Sequence, residues 1–391
     1  MIIVLLSPYR HFPDEENHVQ YIQHIQKYRE LPKFSQDPAI TPSSVAFHPP
    51  LYYLCASVLV NPSWALEIQI TILRIFSLLQ GVFALWILFR CAALVFPGNP
   101  AAVILTMASV AFNPQFIFIH SGVGNIPSTT LTCSMVAFYL IKMTIAKQIT
   151  PRLTILLGLF LGLAILSRSV AVYLALPALI ALFLYAKNKR QLLLHAAMMF
   201  ACAALTGGWW YIRNCLQYGD PVLWKIGILT MGVHFVRKEP VLRWEFLFGT
   251  ISFLHASFWA YFGRNEYHAG IWEYAVYLLM QAMACVGVIE IWRKRTVDAE
   301  FEQSAFERPA FFLMVFAGFL AVCEIFLILM RLESPQGRYL YMAIVPLALI
   351  LGGGLVKIVS PRRRLAAAYV CSLFLFLFGS YLLVRYWLPH V

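Results

Sequence analysis

Asp14, Glu15 and Glu16 stand in a row after Pro13, and Asn17 and His18 complete the cluster. A carboxylate at a water–membrane boundary can take a proton from a hydroxyl nucleophile when its pKa and position suit. Carboxylates so placed can instead hold a divalent cation. Acidic groups held at a membrane face are costly to desolvate and read first as functional. The competing reading is structural: Asp14 caps a helix that begins near Glu15, and the glutamates favour its first turn. Such a helix puts Asn17 and Tyr21 on one face.

Three further clusters carry polar groups beside apolar runs. His48-Pro49-Pro50-Leu51-Tyr52-Tyr53 stops one element and starts another, because proline breaks the hydrogen-bond ladder before it. Its tyrosines suit an interfacial anchor. In Gly208-Trp209-Trp210-Tyr211-Ile212-Arg213-Asn214 the tryptophans fit an aromatic belt and Arg213 fits a snorkelling anchor. Tyr218-Gly219-Asp220-Pro221 follows as a turn, and Ser257 to Arg264 has the same interfacial character. In Ser334-Pro335-Gln336-Gly337-Arg338-Tyr339-Leu340, the planar fork of Arg338 suits a phosphate. Gly337 allows close approach of a ligand to the backbone.

The elements that must hold these groups are membrane helices. Of 391 residues, 61% are hydrophobic and only 12% charged, with a mean hydropathy of +0.72. Apolar runs long enough to cross a bilayer recur at about 67–89, 101–119, 127–146, 153–168, 170–186, 192–212, 271–292, 310–330, 339–358 and 366–387. The fold class is an all-α polytopic integral membrane protein with about ten spanning helices. It forms a single membrane domain over 1–391, with a first acidic loop at 9–50 and interfacial amphipathic helices at 213–270. Met1 to Ser7 reads as the tail of a first helix, and Leu51 to Val60 as interfacial or re-entrant. The eight cysteines are scattered without metal-ligand spacing and read as packing residues.

The net charge of +12 lies in short clusters between apolar runs, which argues against nucleic acid as a partner. Arg90, Lys187 to Arg190, Arg293 to Arg295 and Arg362 to Arg364 all fall on one side, the cytoplasmic one by the positive-inside rule. The acidic loop, Asn125, Arg168, the 213–270 stretch and Arg338 fall on the other. The run 153–186 is either two short helices divided at Ser167-Arg168-Ser169 or one long tilted helix with a buried arginine, and the alternation supports the split at Arg168.

Taken in order, Pro-Asp-Glu with a nearby His, His-Pro-Pro-Leu-Tyr-Tyr, Trp-Trp-Tyr-Ile-Arg-Asn with Tyr-Gly-Asp-Pro, Ser-Phe-Trp-Ala-Tyr-Phe-Gly and Gln-Gly-Arg-Tyr-Leu resemble motifs of the GT-C glycosyltransferase superfamily. The likeness is to its bacterial protein-mannosyltransferase-like and aminoarabinose-transferase-like branches and allied families of unassigned activity, from about Tyr9 to Gly354. The resemblance implies a GT-C-like fold in the inner (plasma) membrane. It also implies transfer of a sugar from a polyprenyl-phosphate donor to a hydroxyl of a glycan, lipid or protein acceptor on the extracytoplasmic face, with inversion. Asp14 or Glu15 is then the catalytic base. Arg338, Gln336, Tyr339 and Arg168 meet the donor phosphate, with His48, Arg213 and His18 as further binding groups. No cofactor is certain; a divalent cation is possible. Two departures stand out. Relatives carry Asn-Asp where this chain reads Gly124-Asn125-Ile126-Pro127, so an expected carboxylate is missing, and the first helix is missing or truncated. Both favour one alternative, an inactive member of an envelope-assembly complex. The other, a transporter or lipid flippase, calls for an internal repeat with broken helices at mid-membrane, and none stands out.

Overall fold

A computed structural model describes residues 1–34, 44–231, 244–293, 307–329 and 336–391. With no water in a bilayer to satisfy backbone groups, long apolar runs must fold as helices, and they do. Among the described residues seven helices are long and apolar enough to span: Leu66–Val95, Ile126–Ala146, Lys189–Tyr218, Ile271–Arg293, Arg308–Leu329, Gly337–Lys357 and Pro361–His390. The chain is a multi-pass membrane protein. Among the described residues the only strands are the two-residue pair Tyr261–Phe262 and Tyr267–His268.

The expected ten spans fall differently in three places. The run at 101–119 is broken into Pro100–Ala111 and Pro114–His120, which meet at 57°. The cause is local: Pro114 has no N–H to continue the ladder, and Asn113 starts a new helix by accepting from the Phe116 amide. The runs on either side of Arg168 form helices of 17 residues or fewer, Pro151–Ser167 and Ser169–Tyr185. Arg168 itself is extended, with φ −159° and ψ 130°.

Leu66–Val95 packs along Ile126–Ala146, and Ile271–Arg293 along the helix that ends at Lys357. The acidic loop lies against this scaffold. Helix Glu15–Tyr28 buries His18, Val19, Tyr21, Ile22 and Ile25 and packs on the short helix Leu51–Ser57.

The stretch 213–270 is only partly the interfacial layer expected, and Phe235 lies outside the described residues. Helix Trp244–Trp259 exposes Trp244 and Phe248 but buries Phe258 and Trp259, and Ala260 and Phe262 beyond it are buried too. That end is core because it packs on the segment that begins at Gly337. Trp210 is likewise buried, whereas Trp209 is partly exposed. Tyr52 and Tyr53 are not interfacial anchors: both are fully buried and hold the first loop in place. Lys294 and Arg295 of the expected cytoplasmic cluster, and Arg331, Ser334 and Pro335, lie outside the described residues.

Candidate active site

The three adjacent acids of the first loop have three different fates. Glu15 is 1% exposed. Arg74, from the first third of the Leu66–Val95 span, grips it with two hydrogen bonds: Nε donates to Oε1 at 2.8 Å and Nη2 to Oε2 at 2.9 Å. The Arg10 amide donates to Oε2 at 3.0 Å and the Val123 amide to Oε1 at 3.4 Å. Arg74 donates further to the carbonyls of Val4, Ser7 and Pro8, and its guanidinium lies over the Phe12 ring. A bidentate, fully hydrogen-bonded pair is how a buried charge is tolerated. Glu15, weighed as a base, is therefore a tie between the first loop and a membrane helix. Glu16 pairs with Arg10 at the surface.

Asp14 turns the other way. It occupies the N-cap position of helix Glu15–Tyr28, yet its side chain makes no cap bond and its backbone is left-handed, φ 58°. A non-glycine residue held there signals a site that the surroundings over-determine. Capping is therefore not what its carboxylate does. Instead it accepts from Arg338 Nη2 at 2.9 Å, and its side chain is about half exposed, against 6% for that of Arg338. Burial pushes the Asp14 carboxyl up, but the Arg338 guanidinium and then His18 outweigh it, and the group lies below its ordinary value.

Asp14 and Arg338 line a cleft of about 450 Å3, part of it open to solvent, together with His18, His48, Asn125, Arg168 and Tyr339. Segments from five separate parts of the chain thus converge. Arg168 sits at the break between two short helices, where its guanidinium lies 4.2 Å from the centre of the Tyr339 ring. Arg338 approaches the same ring at 5.7 Å. His18 Nδ1 is 2.8 Å from the Tyr53 hydroxyl. Burial drives its pKa down to about 4, and burial with nearby arginines drives His48 well down also. Both imidazoles are neutral at pH 7. Tyr52 donates toward or accepts from Ser77 Oγ at 3.1 Å and accepts from the Gly124 amide, so it anchors the loop that carries Asn125.

Two expected residues stand apart. Arg213 lies over Trp210 and Tyr218 and donates to the Pro32 carbonyl; it is an anchor outside the cleft. Gln336 is buried beside Arg338 with its Oε1 unpartnered, but it does not line the cleft. Gly337 serves packing and not a ligand: its amide donates to Ser257 Oγ at 2.7 Å, and a Cβ there would overlap the Leu254 carbonyl and the Phe258 amide. This close approach sets the position of Arg338.

Sequence reasoning passed over Arg74, although an arginine inside the apolar run at about 67–89 is itself a signal of function or of a buried partner. It also treated Asn125 only as a missing carboxylate. A divalent cation does not fit the cleft. Glu15 is committed to Arg74, Asp14 is the one carboxylate lining the cavity among the described residues, and two arginines there already give a surplus positive charge. Among the described residues no three His, Cys, Asp or Glu side chains converge as ligands.

A family model described as dolichyl-phosphate-mannose-protein mannosyltransferase matches residues 48–211, less than half of the chain. No curated protein matches the sequence. Solved structures do. ArnT from Cupriavidus metallidurans bound to undecaprenyl phosphate is similar with a TM-score of 0.58 at 13% identity, over 95% of this chain and 60% of that one. The oligosaccharyltransferase AglB from Archaeoglobus fulgidus, in complex with an inhibitory peptide and a dolichol-phosphate, gives 0.57 at 14%, over 97% and 52%. The arabinofuranosyltransferase AftD from Mycobacteria gives 0.55 at 15%, over 97% and 26%. This chain thus spans between a quarter and three fifths of their lengths. At such identities the likeness is one of fold: the chain has the GT-C membrane fold.

Proposed function

We propose that this chain is a membrane glycosyltransferase that moves a sugar from a polyprenyl-phosphate donor to an acceptor hydroxyl. The observation that carries this reading is the contrast within one cleft: a single accessible carboxylate, Asp14, faces two arginines, Arg338 and Arg168. One group can take a proton and the others can hold a phosphate. Solved members of the fold that hold undecaprenyl phosphate or dolichol-phosphate support the donor class. The clustering of basic residues away from the cleft supports an extracytoplasmic position for it.

In this reading the acceptor oxygen attacks the anomeric carbon from the side opposite the phosphate. The bond from that carbon to the phosphate oxygen breaks, and the polyprenyl phosphate leaves with the electron pair. The acceptor proton passes to Asp14. Positive groups already fixed where charge develops on the leaving phosphate are the largest contribution a protein makes to such a step. Arg338 links the two halves of the reaction. While it serves Asp14 alone, the carboxylate is a weak base. When the phosphate takes a share of the guanidinium, that hold relaxes and Asp14 becomes more basic as the donor arrives. Ile119, Ile126 and Pro127 on the cleft wall offer an apolar surface to the first isoprenes.

The test is release of undecaprenyl phosphate from a panel of undecaprenyl-phosphate-linked sugars by the purified chain in proteoliposomes. Release by the parent and its loss in Arg338→Ala support the reading. Undecaprenyl phosphate binding that is equally tight in the parent and in Arg338→Ala contradicts it.

A further inference from the structure

Asn125 stands at the N-cap of the 21-residue span Ile126–Ala146, and its side chain does not cap that helix. It is 2% exposed, its Nδ2 has no hydrogen-bond partner, and it lines the cleft with Arg338 and Arg168. A buried amide donor left unpaired costs free energy, so a native fold that keeps one calls for an explanation. Arg338 repeats the pattern: it is 5% exposed and its Nε is unpartnered. The positive end of a long helix dipole lies at the same place. The charge account of the cleft points the same way. Among the described lining residues Arg168 and Arg338 contribute +2 and Asp14 −1, the two histidines are neutral, and Glu15 is cancelled by Arg74, which leaves +1 for an anion to balance.

We propose that Asn125 and the start of helix Ile126–Ala146 form the third side of a phosphate cradle, with Arg338 and Arg168 as the other two. This inference rests on the phosphate-donor reading above and adds the group that fixes the phosphate's orientation. Asn125 Nδ2 donates to one phosphate oxygen, Arg338 Nε to another, and the helix end faces the same charge. A carboxylate at this point would repel the phosphate.

The shared chemistry is an anionic phosphate group, which a lipid phosphate or free phosphate can supply. The purified full chain is titrated with undecaprenyl phosphate and, separately, with inorganic phosphate. Asn125→Ala is expected to weaken undecaprenyl phosphate binding by about 10–100-fold, the usual loss of a hydrogen bond to a charged group. Asn125→Asp, nearly the same size, is expected to weaken it more. If the cradle is built for the lipid, inorganic phosphate competes only at far higher concentration; equal affinity for both assigns the cradle to free phosphate and overturns the donor assignment. Thermal unfolding separates binding from structure. Because Nδ2 makes no bond in the fold, Asn125→Ala should unfold no earlier than the parent, whereas a structural amide would lower its midpoint. EDTA should leave parental binding unchanged. If Arg338→Ala loses binding while Asn125→Ala and Asn125→Asp keep it, this inference fails and the donor reading stands. If Arg338→Ala also keeps it, the donor reading itself fails.

Discussion

Two arginine–carboxylate pairs, one residue apart in the first loop, divide the molecule's work between them. Arg74 and Glu15 are both buried, side chains 4% and 0% exposed, and hydrogen-bonded from every side. Arg338 and Asp14 meet through a single hydrogen bond, with a half-exposed carboxylate and an unpartnered guanidinium Nε. The same residue types therefore give a closed joint in one place and an open, reactive one in the other. Saturation decides which. A carboxylate with four donors has no lone pair to offer a substrate, and one with a single donor at the edge of a cleft does.

The largest effect that would sharpen this contrast is on the chemical step. Asp14→Asn should lower the transfer rate by about 10²–10⁴-fold, the usual value of general-base assistance. It should cost far less stability than loss of the buried pair, since the Asp14 side chain caps nothing, is half exposed, and leaves an amide oxygen that can still accept from Arg338. Next in size is the loss of the closed joint. Arg74→Ala strands Glu15 as an uncompensated buried charge and should cost roughly 3–5 kcal/mol. This is read as a lowered unfolding midpoint in detergent, with residual transfer per folded molecule. If Arg74→Ala is as stable as the parent, the joint carries no structural weight.

Much of this arrangement is legible in the sequence. The helices follow from apolar runs because a bilayer leaves no other choice of secondary structure, and Arg168 betrays a break because a charge cannot sit inside a span unpartnered. Asp14, Arg338, His48 and Arg168 are visible as chemistry-bearing residues beside turns. What the sequence hides is direction. Asp14 and Glu15 look interchangeable until the left-handed backbone at Asp14 sends their side chains to opposite sides. The burial of Trp210, Tyr53 and Trp259 is equally hidden, because an aromatic beside a basic residue reads as interfacial whether or not another helix covers it. Gly337 reads as ligand access for the same reason. Its true neighbour, helix Trp244–Trp259, is some 80 residues away in the chain.

A smaller effect concerns pH. His18 has its folded pKa pushed to about 4, below the ordinary 6.5. The unfolded chain therefore takes up a proton first as pH falls, so stability is lost between about pH 6.5 and 4 and is unaffected above 7. The expected loss is up to about 3 kcal/mol. Thermal midpoints at pH 7.5 and 4.5 should differ in the parent and differ less in His18→Gln. An identical pH response in both would remove His18 from the account. Smallest is the charge-conserving change at the open pair. Arg338→Lys keeps the charge and loses the planar fork, which should weaken undecaprenyl phosphate binding by about tenfold.

The central claim is that Asp14 is the reactive carboxylate and Glu15 the structural one. The most direct measurement compares Asp14→Asn and Glu15→Gln side by side, each scored for transfer per folded molecule at saturating donor and for unfolding midpoint. The account predicts a crossed result: Asp14→Asn folds like the parent and transfers almost nothing, while Glu15→Gln unfolds earlier and transfers at close to the parental rate. The reverse pattern, with Asp14→Asn active and Glu15→Gln folded but inactive, would contradict it.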